Sequence, residues 1–410
     1  MRSFNLFLRN IPALFFSWTV SRYILFLFIT LVLPYPEGQW LKGDVDLYNF
    51  WSKGLVNGIF PINDSMWQYP PLAGVVFAIP QWVLGNALTG FILFMILFDL
   101  LILITFLTTG LKRFKLNPDS TSLNGLSGAW FWIMWPILMG PLALTRFDVV
   151  PTLFALLALV VLSNQKMRPI LSGIFLSIGA MVKLWPMLLL VIYPKTVFKK
   201  VSISFVSTAV LLLIFMNTWS VGFTNFFNNQ SSRGLQVESI AASPYVLAKL
   251  FGANVEYPFR YGSLEVQASF ANEIGFMLNV LTLIVFLVIL VLNYLNKLAY
   301  LNLVDKALVV VLISIAFSRV FSPQFWVWVG GLAALALINK ETKLKKVIVL
   351  LSISAFLTQL LYPGQYVALL SGEFFATMLQ LTRVVLFVWA LVLGTKLLLK
   401  PTRGKVNQYE

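Results

Sequence analysis

Long apolar runs separated by short polar stretches dominate the chain, and their lengths indicate what kind of protein it is. Residues 11–33 and 88–109 are each long enough to cross a bilayer core, which takes about 20 apolar residues as helix. Further runs follow at 71–84, 127–141, 148–163, 169–194, 201–216, 274–295, 307–318, 325–338, 347–361 and 384–399, several of them shorter. The 11–33 run is too long for a signal peptide and lacks its small-residue cleavage site, so it reads as a retained first span. Two longer polar stretches remain, 34–69 and 217–272. The pattern predicts an all-α polytopic membrane protein over 1–410, a single domain of about 12 transmembrane helices with two longer extracytoplasmic loops.

Composition agrees: 59% of the 410 residues are hydrophobic and 11% charged. The net charge of +15 would suggest nucleic acid in a soluble protein. Here most of the Lys and Arg sit in short clusters between apolar runs, such as Arg2, Arg9 and Arg22, or Lys340, Lys343, Lys345 and Lys346. That is the pattern of cytoplasmic loops, and it predicts both termini inside. No nucleic-acid motif is present. The charges also constrain two irregular stretches. Residues 70–109 must make one net crossing, so 71–84 is expected as an outer-leaflet or broken segment. Residues 169–194 run from one basic cluster to another and must go out and return. They are expected as two half-length helices meeting near Lys183-Leu184-Trp185-Pro186, a break tolerated at membrane depth where it lines a cavity.

The sequence contains no Cys and no His. Disulfides, Cys/His zinc sites and His bases are therefore excluded, and carboxylates, Lys, Arg and Tyr remain for chemistry. There is no phosphate-cradling Gly-rich loop, nucleophile elbow or metal-ligand cluster, and the part of a divalent cation is left open. Most acidic residues fall in or beside the outer loops, together with lone cations at Arg146, Arg233, Arg319 and Arg383, so the chemistry is expected outside. Asp99, within a span, reads as a packing residue. The sequons at Asn63 and Asn229 read as chance. Lys42-Gly-Asp-Val-Asp-Leu-Tyr-Asn-Phe-Trp51 is followed by Gly58-Ile-Phe-Pro61 and Trp67-Gln-Tyr-Pro-Pro-Leu72. It is either an ordinary solvated loop or a carboxylate pair held above the membrane as a general base. The external aromatics, Trp40, Tyr48, Trp51, Trp67, Tyr69, Tyr245 and Tyr261, fit a membrane-interface belt or sugar stacking.

These motifs continue in order with Arg146-Phe-Asp148, Lys183-Leu-Trp-Pro186, Arg233-Gly-Leu-Gln-Val-Glu-Ser239 and Arg319-Val-Phe-Ser-Pro-Gln324. Together they resemble the GT-C-fold glycosyltransferases, and among these glycosyltransferase family 87, the bacterial polyprenyl-phosphate-mannose-dependent mannosyltransferases. The resemblance implies a GT-C-like fold in a bacterial plasma membrane. The implied reaction moves a hexose, mannose first, from a polyprenyl-phosphate sugar to a glycolipid or cell-envelope glycan, by single-displacement inversion on the extracytoplasmic side. It makes Asp44, four residues before Tyr48, the base, with Asp46 as runner-up. It implies contacts to donor phosphate or substrate from Asp148, Arg146, Lys183, Arg233, Gln236, Glu238, Arg319, Gln324, Tyr48 and Tyr69. Arg319 stands where the family's motif is expected to carry Lys. Asp148 reads equally as a helix cap or local ion partner, and Lys183 as a snorkelling cation. The rival readings are a transporter or lipid flippase and a non-catalytic envelope assembly protein. Against the transporter, there is no clear internal repeat, and the charges gather at loop edges.

Overall fold

The structure, a computed structural model, describes residues 2–84, 87–116, 122–162, 168–224, 226 and 233–401. Lys166, Arg403, Lys405 and the Asn229-Gln-Ser231 sequon lie outside the described residues. Helices make up most of it: α1 Arg2–Ile29, α2 Gly43–Leu55, α3 Pro71–Leu84, α4 Ala87–Leu116, α5 Ser122–Met139, α6 Val149–Leu162, α7 Pro169–Val182 and α8 Lys195–Trp219. They continue with α9 Ser243–Leu250, α10 Ala271–Tyr294, α11 Leu303–Ala316, α12 Phe325–Leu337, α13 Lys345–Leu361, α14 Tyr366–Ser371 and α15 Phe374–Leu398. A two-stranded hairpin, Phe259–Arg260 with Ser263–Leu264, lies in the second long loop.

Among the described residues five helices are long and apolar enough to cross a membrane: Asn10–Ile29, Leu88–Arg113, Lys195–Trp219, Ala271–Tyr294 and Phe374–Leu398. α8 and α10 turn large apolar side chains outward, among them Leu211, Phe215, Leu283 and Val291. That surface is stable only against lipid, and the chain is a multi-pass membrane protein. α11 and α12 are almost wholly buried and, apart from Asp305, Lys306 and Ser314 of α11, apolar all round, as an inner helix must be. The shorter apolar helices α3, α6 and α7 have 14 residues each. At 1.5 Å per residue each spans about 21 Å, short of the roughly 30 Å hydrocarbon core.

Charge misled the boundaries in three places. Arg22 does not join a cytoplasmic cluster: it lies within α1, 2% exposed, and gives Nε and Nη2 to Asp99 Oδ2 and Oδ1 at 2.8 and 2.9 Å. Trp18 Nε1 adds a bond to Asp99 Oδ2 at 2.5 Å, and Arg22 Nη1 donates to the Ile133 carbonyl at 2.8 Å. This satisfied pair fastens α1 to α4 and α5, the packing role expected of Asp99. Second, α8 starts at Lys195 and not near 201, so its basic residues occupy the first turns. Third, α15 starts at Phe374 and not near 384, which places Arg383 inside a helix at 0% exposure. The stretch between the 347–361 and 384–399 runs shrinks accordingly and holds the short helix α14.

The hairpin over 169–194 is present. α7 ends where Lys183 turns extended, at φ −156° and ψ 128°. Pro186, which cannot continue an α-helix, follows, and the return leg Trp185–Ile192 is a 3₁₀ helix rather than a second α-helix. The first long loop is likewise more ordered than a solvated connection, since it contains α2. It is joined to the second loop by Phe60 N–H to Val221 O at 3.0 Å and Val221 N–H to Gly58 O at 2.9 Å. Gly58 has φ +74°, and a Cβ there would stand 2.3 Å from the Trp219 carbonyl oxygen, so only glycine fits.

Candidate active site

A cavity of about 970 Å³ opens between these two loops and the ends of the short helices. α2 brings Asp44 to its wall. Asp44 and Asp46 both occupy the first turn of α2, where negative charge favours the start of a helix. Two residues of helix rotate a side chain by about 200°, so the pair diverges: Asp44 lines the cavity, while Asp46 is exposed and does not. Tyr48, one turn further, points away into the core at 2% exposure, stacked on Phe77 with ring centroids 4.3 Å apart. Trp51 and Trp67 are buried in the same aromatic cluster, edge to face at 5.1 Å. Tyr69 is the member of that cluster that reaches the cavity, and burial raises the pKa of its phenol.

Arg146 comes from the turn between α5 and α6. Its Nε meets Asp44 Oδ2 at 2.6 Å, and the two side chains are 7% and 40% exposed. Burial works against the Arg146 charge, but Asp44 together with Tyr362, Tyr48 and Tyr69 holds the guanidinium above its usual pKa. Asp148, just before α6, does not line the cavity and is fully buried. Its Oδ1 accepts from Lys183 Nζ at 2.7 Å and from Trp328 Nε1 at 2.5 Å, while Oδ2 has no partner. Lys183 reaches the cavity, and its ammonium sits 4.8 Å from the Phe147 ring centre and 5.3 Å from that of Trp328. Asp148 is thus the ion partner of Lys183, and its side chain makes no cap.

The second loop supplies the far wall with Arg233, Gln236 and Glu238, and the turn before α12 supplies Arg319 and Gln324. The two segments bind each other through their backbones. Gln236 N–H donates to the Arg319 carbonyl and Phe321 N–H to Gln236 Oε1, each at 3.0 Å. Arg319 Nη1 donates to the Arg233 carbonyl. Arg233 gives Nη2 to Ser263 Oγ at 3.3 Å, and its buried Nε has no hydrogen-bond partner. Burial lowers the Arg233 pKa, opposed by Tyr69 and Glu265.

Glu238 is 1% exposed. Its Oε2 accepts from Gln236 Nε2 at 3.0 Å and Tyr366 Oη at 3.1 Å, while Oε1 lies 3.6 Å from Arg383 Nη1, an ion pair without a hydrogen bond. Burial pushes the Glu238 carboxyl up to about 7 against the pull of Arg383. Arg383 itself stays behind the wall, with Nη2 on the carbonyls of Glu238 and Phe321 at 3.0 and 3.4 Å. The cavity therefore gathers Asp44, Arg146, Lys183, Arg233, Gln236, Glu238, Arg319, Gln324 and Tyr69, and leaves Asp46, Tyr48 and Asp148 outside it. Sequence reasoning missed Tyr362, Tyr366 and Trp328. The two tyrosines stand four apart beside the turn between α13 and α14, but only the fold shows that this turn lines the cavity.

The family model for glycosyltransferase family 87 matches residues 67–323. The chain belongs to this family. It is a membrane glycosyltransferase, and the motif residues from Arg146 to Pro323 fall within the match, whereas Asp44 precedes it and Gln324 follows it. Neither the curated proteins nor the solved structures include a match to the chain.

Proposed function

We propose that this family 87 enzyme transfers a hexose, mannose first, from a polyprenyl-phosphate sugar to a glycolipid or cell-envelope glycan. The carrying observation is the Asp44 carboxylate at the cavity wall, oriented by Arg146 through Oδ2. The acceptor hydroxyl oxygen attacks the anomeric carbon, its proton passes to Asp44, and the bond from that carbon to phosphate oxygen breaks. Polyprenyl phosphate leaves, and the configuration inverts in this single displacement. Phosphate is a good leaving group and needs no general acid, while a positioned base contributes about 10²–10⁴-fold in rate.

Arg233 and Arg319 suit the leaving phosphate, since guanidinium meets phosphate with two donors. Support comes from the unpartnered Nε of Arg233 and from the mutual fastening of the two segments. Lys183 serves beside them as a donor whose charge Asp148 already balances. The domain is read as one GT-C-like body of twelve crossings in a bacterial plasma membrane, both ends inside and the cavity outside, supported by the basic clusters. Whether a divalent ion takes part is tested by adding chelator.

The test uses membranes expressing wild type or Asp44→Asn at equal level, supplied with radiolabelled polyprenyl-phosphate mannose and envelope lipids. Label entering a new lipid or glycan with wild type and lost in the variant is the expected result. Full transfer by Asp44→Asn removes Asp44 as the base. Transfer of glucose but not mannose corrects the sugar, and no transfer from any polyprenyl-phosphate hexose overturns the donor reading.

A further inference from the structure

Trp40 differs from the other tryptophans of the first loop. Trp51 and Trp67 are 3% and 0% exposed inside the aromatic cluster, whereas Trp40 is 57% exposed and lines the cavity. It sits on a 3₁₀ turn, Gly38–Leu41, that runs through Lys42 directly into α2. Its indole is oriented: Nε1 donates to Glu37 Oε2 at 3.3 Å, and Gln39 Nε2 holds the same oxygen at 2.6 Å. Gly43, between Trp40 and Asp44, also lines the cavity, and a Cβ added there would meet nothing within 4 Å. The floor between the ring and the carboxylate is therefore open. Phe259 and Tyr261 of the hairpin join this rim, and Gln68 Nε2 binds the Tyr261 carbonyl at 2.7 Å, tying the hairpin to the first loop.

We infer that Trp40 is the platform of the acceptor subsite, and that the acceptor is a glycan whose pyranose ring stacks on the indole and presents a hydroxyl to Asp44. A sugar carries an apolar face of C–H groups that matches the electron-rich face of an aromatic ring. A bare lipid alcohol would gain no such orientation. A tryptophan acting only as an interfacial anchor belongs on the lipid-facing surface, where Trp389 of α15 lies at 56% exposure away from the cavity. The acceptor's identity rests on the transferase reading above, but the subsite can be tested without any donor.

The experiment compares purified wild type, Trp40→Ala, Trp40→Phe and Trp389→Ala by saturation-transfer NMR with octyl mannoside, octyl glucoside and octanol. The wild type is expected to saturate the ring protons of at least one glycoside. Trp40→Ala should weaken that binding about three- to tenfold, the range of one aromatic contact. Trp40→Phe should recover most of it, and Trp389→Ala should leave it unchanged. Transfer assays with polyprenyl-phosphate mannose should then show a raised acceptor KM in Trp40→Ala, with donor hydrolysis by water kept. Glycoside binding unaffected by Trp40→Ala, no glycoside binding to wild type, or equal loss of hydrolysis and transfer each overturns the platform. Trp40-dependent binding with no transfer from any polyprenyl-phosphate hexose leaves the platform standing and sinks the donor reading instead.

Discussion

Asp44 and Asp46 stand two residues apart on one helix, and only Asp44 reaches the cavity. Spacing alone does not separate them, but a helical turn does. Asp44→Asn is expected to lower the initial transfer rate by about 10²–10⁴-fold. Asp46→Asn, at an exposed position, should stay within about twofold of wild type. Initial rates at matched expression decide it, and a reversed order would assign the base to Asp46.

Arg233 has a buried donor, Nε, with nothing to bond. On the phosphate reading, Arg233→Ala should raise the donor KM about 10- to 100-fold, the worth of a charged hydrogen bond. Its effect on kcat should be smaller, because Asp44 and Arg146 are untouched. Inorganic phosphate, as a weak competitor, should lose potency in the same variant. An unchanged donor KM and unchanged inhibition would place the phosphate elsewhere.

Glu238 links stability to acidity. The folded protein keeps its proton up to about 7, while the ordinary value is 4.5. Between these values the folded state binds more protons than the unfolded chain, so stability falls as pH rises through this window and levels off above it. The full loss is at most about 3 kcal/mol. Thermal unfolding in detergent from about pH 4 to about pH 8 should show this slope in wild type, and Glu238→Gln should flatten it. An equal slope in both proteins would remove Glu238 as its source.

Asp99 balances a guanidinium with almost no access to water. Asp99→Ala leaves Arg22 buried and uncompensated, which costs about 3–5 kcal/mol. A large drop in unfolding temperature is expected, with partial rescue by the double change Arg22→Leu with Asp99→Ala. Failure of the second change to recover any stability would show that the pair does not act as a unit.

The helical plan was legible because apolar run length carries it, and the break at Lys183 was legible because basic ends and Pro186 left no other path. Buried cations were not. Arg22 and Arg383 looked like loop residues because charge marks boundaries only when it faces water. Their partners, Asp99 and Glu238, lie 77 and 145 residues away along the chain. The cavity wall was half legible. Motif order pointed to Arg146, Lys183 and Arg233, but which carboxylate faced inward depended on α2 being a helix within what read as a loop. Tyr366 and Trp328 had no local signal, since their roles arise from contacts made across the fold.

Arg383 gives that last point a temporal side. It sits on α15, near the end of the chain, and one of its nitrogens holds the carbonyls of both Glu238 and Phe321. During synthesis the loop bearing Asp44 emerges early, but the segments bearing Arg233 and Arg319 gain this rivet only when α15 inserts. The direct bonds between those two segments, Gln236 N–H to the Arg319 carbonyl and Arg319 Nη1 to the Arg233 carbonyl, do not need α15. A chain cut before α15 would keep the contacts between Arg233 and Arg319 but lack the rivet, so its far wall would be held from one side only.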